Sequence, residues 1–507
     1  MKRGSAAGGL LLLGVLAMWW GLAAARVPAP PDPSGQPSAV VLHLAAAYRH
    51  ARTWPRSAEA LGALGMAYHA DLLPDRAAQA YERAALLDPR DWRWPYYLAL
   101  VETDHGNTEA AVGRLHDVVS LQPDLALAWW RLGEAEFKRG RFDAAIAAAD
   151  HALAVRAGWA PAWPGGRPAR PEAIQVSAYA SLSRARSALA LDDFHTAARV
   201  LEALVAANPR FSAARRLLAD AADRLGHSDE AEHQRRLASR SRAATSPIDP
   251  MIDALAEASR SSTFLLKEAG ITDLRVDGGW REHLVRLALD ADPSSPEVVY
   301  ELATVLHQRG GHGEALVQFQ RYRGLVPGDD QVLTQIGRCL GDVGRFSEGE
   351  TWLRRALEWS DDAVTLYDLG FVLEGQGRAA EAMVAYRRAL ARDPNHAPAH
   401  TNLAALLAQQ GRTREALAHF VEAARVTPDD PDAHNNLGSV LAQIGQRDRA
   451  HAELLATIAL EPKHADAHAN LGVLLLRDGR AEEARRHFEA ALEANPNQRV
   501  ARAALGR

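Results

Sequence analysis

Residues 431–464 read PDAHNNLGSVLAQIGQRDRAHAELLATIALEPKH, and residues 465–498 read ADAHANLGVLLLRDGRAEEARRHFEAALEANPNQ. The same unit of thirty-four residues stands twice more upstream, from 363 and from 397. Leu369-Gly370, Leu403-Ala404, Leu437-Gly438 and Leu471-Gly472 mark its first half. Twelve residues on come Ala382, Ala416, Ala450 and Ala484, then after four more Tyr386, Phe420, Leu454 and Phe488. Eight further come Pro394, Pro428, Pro462 and Pro496. A fixed period of this length marks a repeat array, and it decides the fold before weaker signals are weighed.

Each unit reads as two antiparallel helices. Their axes approach most closely where side chains are smallest, so Gly438 and Gly472 are expected to face Ala450 and Ala484. Leu437 and Leu454 then fill the flanking space. One such hairpin cannot bury its apolar face alone, and stability accrues repeat upon repeat. Gly411, Gly445 and Gly479 stop the first helix, because glycine takes a left-handed conformation without a Cβ penalty. The proline stops the second by pushing the residue before it out of the helical region. These residues at these spacings resemble the tetratricopeptide repeat. The resemblance implies an all-α fold, an α-solenoid wound as a right-handed superhelix, with each repeat's first helix lining the inner groove.

Carrying the register backward gives windows from 58, 92, 126, 178 and 212, then a worn copy at 262, then 296 and 330. With the four clean copies at 363, 397, 431 and 465 there are twelve. Nine carry glycine at the end of the first helix: Gly106, Gly140, Gly226, Gly310, Gly344, Gly377, Gly411, Gly445 and Gly479. The register breaks at 160–177, a Pro/Gly-rich loop insertion, and at 246–261 (SPIDPMIDALAEASRS), which reads as a hinge carrying one short helix. The expected map is an N-terminal arm over 39–245, a linker over 246–261, a C-terminal arm over 262–498 and a short cap over 499–507. Residues 39–52 look helical, with Val40, Leu44 and Tyr48 on one stripe, and would cap the first repeat.

Residues 1–25 stand apart from the repeats. Lys2 and Arg3 precede an uncharged run from Gly8 to Ala25, ending in Ala23-Ala24-Ala25. This is the pattern of an export signal. Eighteen uncharged residues also reach the lower limit of a membrane span, so an uncleaved anchor through residues 8–25 is the competing reading. Either places the body outside the cytoplasm, in the periplasm or tethered to the inner membrane facing it. Residues 26–38 are Pro-rich and suggest an extended spacer. With 58 basic and 63 acidic residues the formal charge is −5, which gives no electrostatic case for nucleic acid.

No stretch has the spelling of an active site, and neither a cofactor nor a metal is expected. Cys339 is the only cysteine, which excludes intramolecular disulfides and CxxC sites. His400, His434 and His468 recur at one register position that the family fills with an aromatic, so they read as packing residues, with metal binding or simple solvation as the alternatives. Tyr96, Tyr97 and Trp130 fall where first helices face the groove, and Tyr97 and Trp130 either stack a ligand or pack between helices. Asn402, Asn436 and Asn470 share one position, with Asp368 there in the preceding repeat and Asn435 adjacent. These repeats are similar to the superhelical arm of the O-linked N-acetylglucosamine transferases, without the catalytic domain. That resemblance implies an asparagine ladder gripping extended peptides, since an amide both donates and accepts. The alternative is a solvated row.

The sequence therefore reads as a non-enzymatic scaffold that binds peptides or other proteins in its groove. The alternative is an accessory subunit of an envelope enzyme or assembly machine, such as those for cytochrome, pilus or polysaccharide biogenesis. Fractionation of cells carrying a C-terminally tagged chain should recover it outside the cytoplasm, processed or membrane-bound. Cytoplasmic recovery with Met1 intact would remove the export reading.

Overall fold

The computed structural model describes residues 26–32, 34, 36–155, 176–209, 211–239, 249–272 and 274–506. The signal or anchor expected over 1–25 and most of the loop insertion at 160–177 lie outside them. No helix among the described residues is long and apolar enough to cross a membrane. The described residues contain 27 helices and no strand. Twenty-four of these are the paired helices of the twelve windows, from Ala58–Ala70 with Pro74–Leu87 to Ala465–Arg477 with Ala481–Ala494. The remaining three are Ser38–Thr53, Pro250–Ala258 and Arg499–Ala504. This is an α-solenoid.

The turn inside each repeat is set by one backbone conformation. All nine glycines at the ends of first helices have positive φ, from 74° at Gly140 to 82° at Gly226 and Gly310. The amide after the glycine reaches back to the helix: Arg412 N–H donates to Leu407 O at 2.9 Å, while Gly411 N–H donates to Ala408 O at 2.9 Å. This satisfies carbonyls that the helix end leaves orphaned. Two repeats do the same without glycine. Leu72 (φ 61°) and Asp192 (φ 60°) hold the equivalent place and carry the same pair of hydrogen bonds.

Within a hairpin the glycine faces the small residue's backbone, a Cβ on Gly438 lying 3.4 Å from Ala450 O, and the nearest atoms belong to the large side chain four residues further on. A Cβ on Gly370 would lie 2.5 Å from the Tyr386 ring, one on Gly472 2.6 Å from Phe488, and one on Gly438 2.8 Å from Leu454. Where Ala149 stands in the large residue's place, a Cβ on Gly133 would meet nothing nearer than 3.3 Å. The ring or branched side chain thus occupies the volume the glycine lacks. Repeat to repeat, Leu403, Leu407, Leu437, Leu441, Leu471, Leu475 and their neighbours form one continuous core from Leu353 to Ala501.

Two compact units are separated between Val305 and Leu306. This differs from the expected linker at 246–261. From Asp249 onward that segment is packed into the first unit. Helix Pro250–Ala258 lies against Ala58–Ala70, and Met251, Leu255, Ala256 and Ser259 are buried. Asp249 caps it, accepting from Met251 N–H at 2.9 Å, and Pro250 sits at its first turn. The composition of the segment resembled a linker because its binding site lies more than a hundred residues upstream. The Pro-rich stretch is likewise anchored at its start, where Val27 is buried and Tyr68 Oη donates to Pro28 O at 2.7 Å.

Replacing Leu72 by glycine should stabilise the first unit. A left-handed residue with a Cβ costs roughly 1–2 kcal/mol, offset by about 0.4–1 kcal/mol of extra chain entropy. Gly411→Ala should destabilise the second unit by about 1 kcal/mol. Urea titration of each variant checks both signs.

Candidate functional site

The sixth residue of each repeat lies on its first helix and gives the site its register. In the first unit this position holds Tyr97 and Arg131, and the segment that follows the fifth repeat is laid across them. Asp249 accepts from Tyr96 Oη at 2.7 Å and from Arg131 Nε at 3.0 Å, and Arg131 Nη2 contacts the same oxygen. Tyr97 Oη donates to Met251 O at 3.3 Å. At the segment's far end Ser259 Oγ donates to Ala70 O at 2.8 Å, and Arg260 N–H donates to Asp71 Oδ1 at 3.0 Å. First helices of three consecutive repeats thus hold one stretch of chain by its carboxylate, a backbone carbonyl and a backbone amide.

The electrostatics fit that arrangement. Burial opposes the charge of Arg131, but Tyr96 and Asp249 hold its pKa above the ordinary value. Burial raises the pKa of Tyr96 and of Tyr97, keeping both hydroxyls protonated donors. Tyr97 itself has no exposed surface and stacks on Tyr81 at 5.1 Å, so it cannot stack on an added ligand. Trp130 is half-buried against Tyr179 and lines a cavity of about 150 Å³ with Leu100, Thr103, Arg131, Glu134 and Lys138. Tyr96 was placed facing the groove without a role, and Arg131 was missed as a site residue. The signal was available in the shared register of Arg131 with the asparagines.

In the second unit the same position carries Asp368, Asn402, Asn436 and Asn470. The three asparagines are half-buried. Asn402 Nδ2 donates to Tyr386 Oη at 3.2 Å and reaches Tyr367 Oη at 3.4 Å. Asn470 Nδ2 donates to Asn435 Oδ1 at 2.9 Å, joining two repeats, and Asn435 is buried. The row is therefore tied into its surroundings by its donors, while the Oδ1 atoms of Asn402 and Asn470 remain acceptors. Among the described residues Asn436 has no side-chain partner and keeps both functions. Asp368 departs from the expected groove contact. It is 1% exposed, its Oδ2 has no partner, and Arg338 Nε approaches Oδ1 only to 3.9 Å.

The recurring histidines have a structural task. His400, His434 and His468 each place Nε2 about 3 Å from the carbonyl of the turn proline six residues earlier, Pro394, Pro428 and Pro462. Trp129 Nε1 and Arg215 Nε make the same bond to Pro123 and Pro209. Nδ1 of His400 and of His468 faces Nδ1 of His419 and of His487 at 2.9 Å, and Nδ1 of His434 faces Glu453 Oε2 at 2.7 Å. Burial, then the neighbouring ring, lowers the pKa of His419 and of His487.

Family models described as tetratricopeptide repeat match residues 72–113, 96–165, 182–245, 373–444 and 437–499, together more than half of the chain. The chain belongs to the tetratricopeptide-repeat family. Superkiller protein 3 of Schizosaccharomyces pombe is 30% identical over 111 residues, covering 20% of this chain and 8% of that protein. The chain thus spans under a tenth of that relative's length. Among solved structures, YrrB, described as a TPR protein with an unusual peptide-binding site, is 19% identical, with a TM-score of 0.27, over 44% of this chain and 98% of its own. MamA from Desulfovibrio magneticus RS-1 is 22% identical, with a TM-score of 0.31, over 34% of this chain and 98% of its own.

Asp368 gives this repeat protein a testable pH dependence. Burial pushes its carboxyl up to about 7, and Arg338 offsets this only in part. The folded chain therefore keeps a proton that the unfolded chain releases from about pH 4 upward. Stability contributed by the neutral acid is lost as pH rises toward 7, and the full cost applies above it. Asp368→Asn, which restores the asparagine of the next three repeats, should raise stability at pH 8 by about 1–3 kcal/mol, since each tenfold in acidity is worth about 1.4 kcal/mol. At pH 4.5 the two proteins should melt nearly together. Equal gains at both values would rule out an ionised buried Asp368.

Proposed function

We propose that this chain is a non-enzymatic scaffold that binds extended segments of partner proteins along the first-helix face of its repeats, outside the cytoplasm. The observation that carries the reading is the segment from Asp249 to Arg260. In the first unit, the sixth-position residues Tyr97 and Arg131 hold a piece of polypeptide by its carbonyl and its carboxylate. The second unit repeats that register with Asn402, Asn436 and Asn470, whose free amide oxygens suit the N–H groups of an extended backbone. Among the described residues, no hydrogen bond joins these three to a segment outside the repeats. The second unit is thus the one open to a partner, and the first is occupied by the chain itself. Export is supported by the basic start and uncharged run of residues 1–25.

The test is to select peptides from a random displayed library against the full chain and titrate the tightest. The comparison is between wild type and the triple variant Asn402→Ala, Asn436→Ala, Asn470→Ala. Net hydrogen bonds of about 0.5–1.5 kcal/mol each predict a loss of about 1.5–4.5 kcal/mol, tenfold to a thousandfold or more in affinity. Far-UV circular dichroism should be unchanged, with a modest fall in melting temperature from the lost Asn402 and Asn470 bonds. Unaltered affinity in a folded triple variant would remove the asparagine row from the binding site. Failure to select any peptide would remove the scaffold reading.

A further inference from the structure

In the second unit, His307, His312 and Asp342 converge at a repeat boundary. His307 lies near the end of helix Pro296–Gln308, and His312 opens helix His312–Leu325 after the turn made by Gly310 and Gly311. Asp342 is the last residue of helix Val332–Asp342 in the next repeat. Three electron-pair donors converge between these elements. The Nδ1 atoms of His307 and His312 are 3.1 Å apart, and Asp342 Oδ2 is 3.6 Å from the first and 3.4 Å from the second.

These separations match the edges of a coordination tetrahedron. Ligands about 2.0–2.2 Å from a zinc ion through nitrogen or carboxylate oxygen stand roughly 3.3–3.5 Å from one another. A single shared proton between the two rings joins only one of the three pairs, whereas a cation would satisfy all three together. We propose that His307, His312 and Asp342 form a binding site for a divalent transition-metal ion, with zinc the best fit and water at the fourth position. Two imidazoles and one carboxylate with an open position is a donor set that zinc accepts and that calcium or magnesium, which prefer oxygen, does not.

The surroundings are mixed but favourable. Arg338 is the nearby positive charge that opposes a cation, and Asp342 counters it. Cys339 Sγ lies 3.5 Å from His307 Nδ1. The carboxylate of Asp342 is about a fifth exposed and both rings are partly exposed, so an ion can enter from solvent. Bound there, it would clamp the turn of one repeat to the first helix of the next.

The other histidine pairs supply the control. His400 with His419 and His468 with His487 also oppose Nδ1 atoms at 2.9 Å, yet no third ligand completes a metal-binding group around either pair among the described residues. The experiment uses the full chain, stripped with chelator and dialysed against zinc, with bound metal counted by atomic absorption. Cobalt substitution is read in parallel by the intense visible absorption of a tetrahedral ion. One equivalent of metal is expected. Asp342→Asn and His312→Ala should each weaken zinc binding by more than about tenfold, the low end of the cost of losing even an indirect partner. The double variant His400→Ala, His468→Ala should bind as wild type does, and zinc should raise the melting temperature of wild type but not of Asp342→Asn. No retained zinc, or zinc kept by Asp342→Asn and His312→Ala but lost from the control, would overturn the site.

Discussion

In five hairpins, at Gly65, Gly337, Gly370, Gly438 and Gly472, one contact dominates, a missing Cβ filled by a neighbour's side chain. Gly370 lies against Tyr386 and Gly472 against Phe488, so close that a methyl on either glycine would collide with the ring. That contact sets how near the two helices of a hairpin stand. A tighter or wider hairpin would move the apolar faces of Leu403, Leu437 and Leu471 out of line and break the core that runs through successive repeats. The positive-φ residue between the helices serves the same end by turning the chain within three residues. Leu72 and Asp192 show that the array imposes this turn even on residues that pay to adopt it.

Because the hairpins are uniform, positions that are equivalent in sequence are equivalent in space. The fourth residue of a repeat bonds the turn proline before it, whether it is histidine, tryptophan or arginine. The sixth lies on the first helix, buried at Tyr97 and Asp368 and half-buried at Asn402, Asn436 and Asn470. That one position is spent differently in the two units. In the first it holds a segment of the same chain, with buried charge matched to buried charge at Arg131 and Asp249. A buried pair of this kind is held by geometry and by added hydrogen bonds, here from Tyr96 and the Met251 amide, rather than by attraction alone. In the second unit the position is amide-rich, suited to backbone rather than to a particular side chain.

The repeats also bring together groups that no single repeat contains. Asn470 meets Asn435, and His307 and His312 meet Asp342, each time across a repeat boundary. Such encounters arise because stacking places the end of one first helix beside the turn of its neighbour. They are invisible to a comparison of one window with the next.

The sequence by itself determined the solenoid. The thirty-four-residue period, the turn glycines and the prolines specify helix starts, stops and partners within about forty residues of each other, where local rules govern. It also favoured packing for the histidine row, with metal binding and solvation left as alternatives. The tertiary structure alone decided three things. Residues 249–261 form a bound segment rather than a linker, Asp368 and Tyr97 are buried rather than available, and the asparagines are partly engaged by Tyr386 and Asn435. The physical reason is range. Helix and turn signals act over a few residues and are written in the sequence, whereas Asp249 finds Arg131 across 118 residues through a non-repeating segment. No local pattern encodes such a contact, and only the completed array creates the surface that receives it.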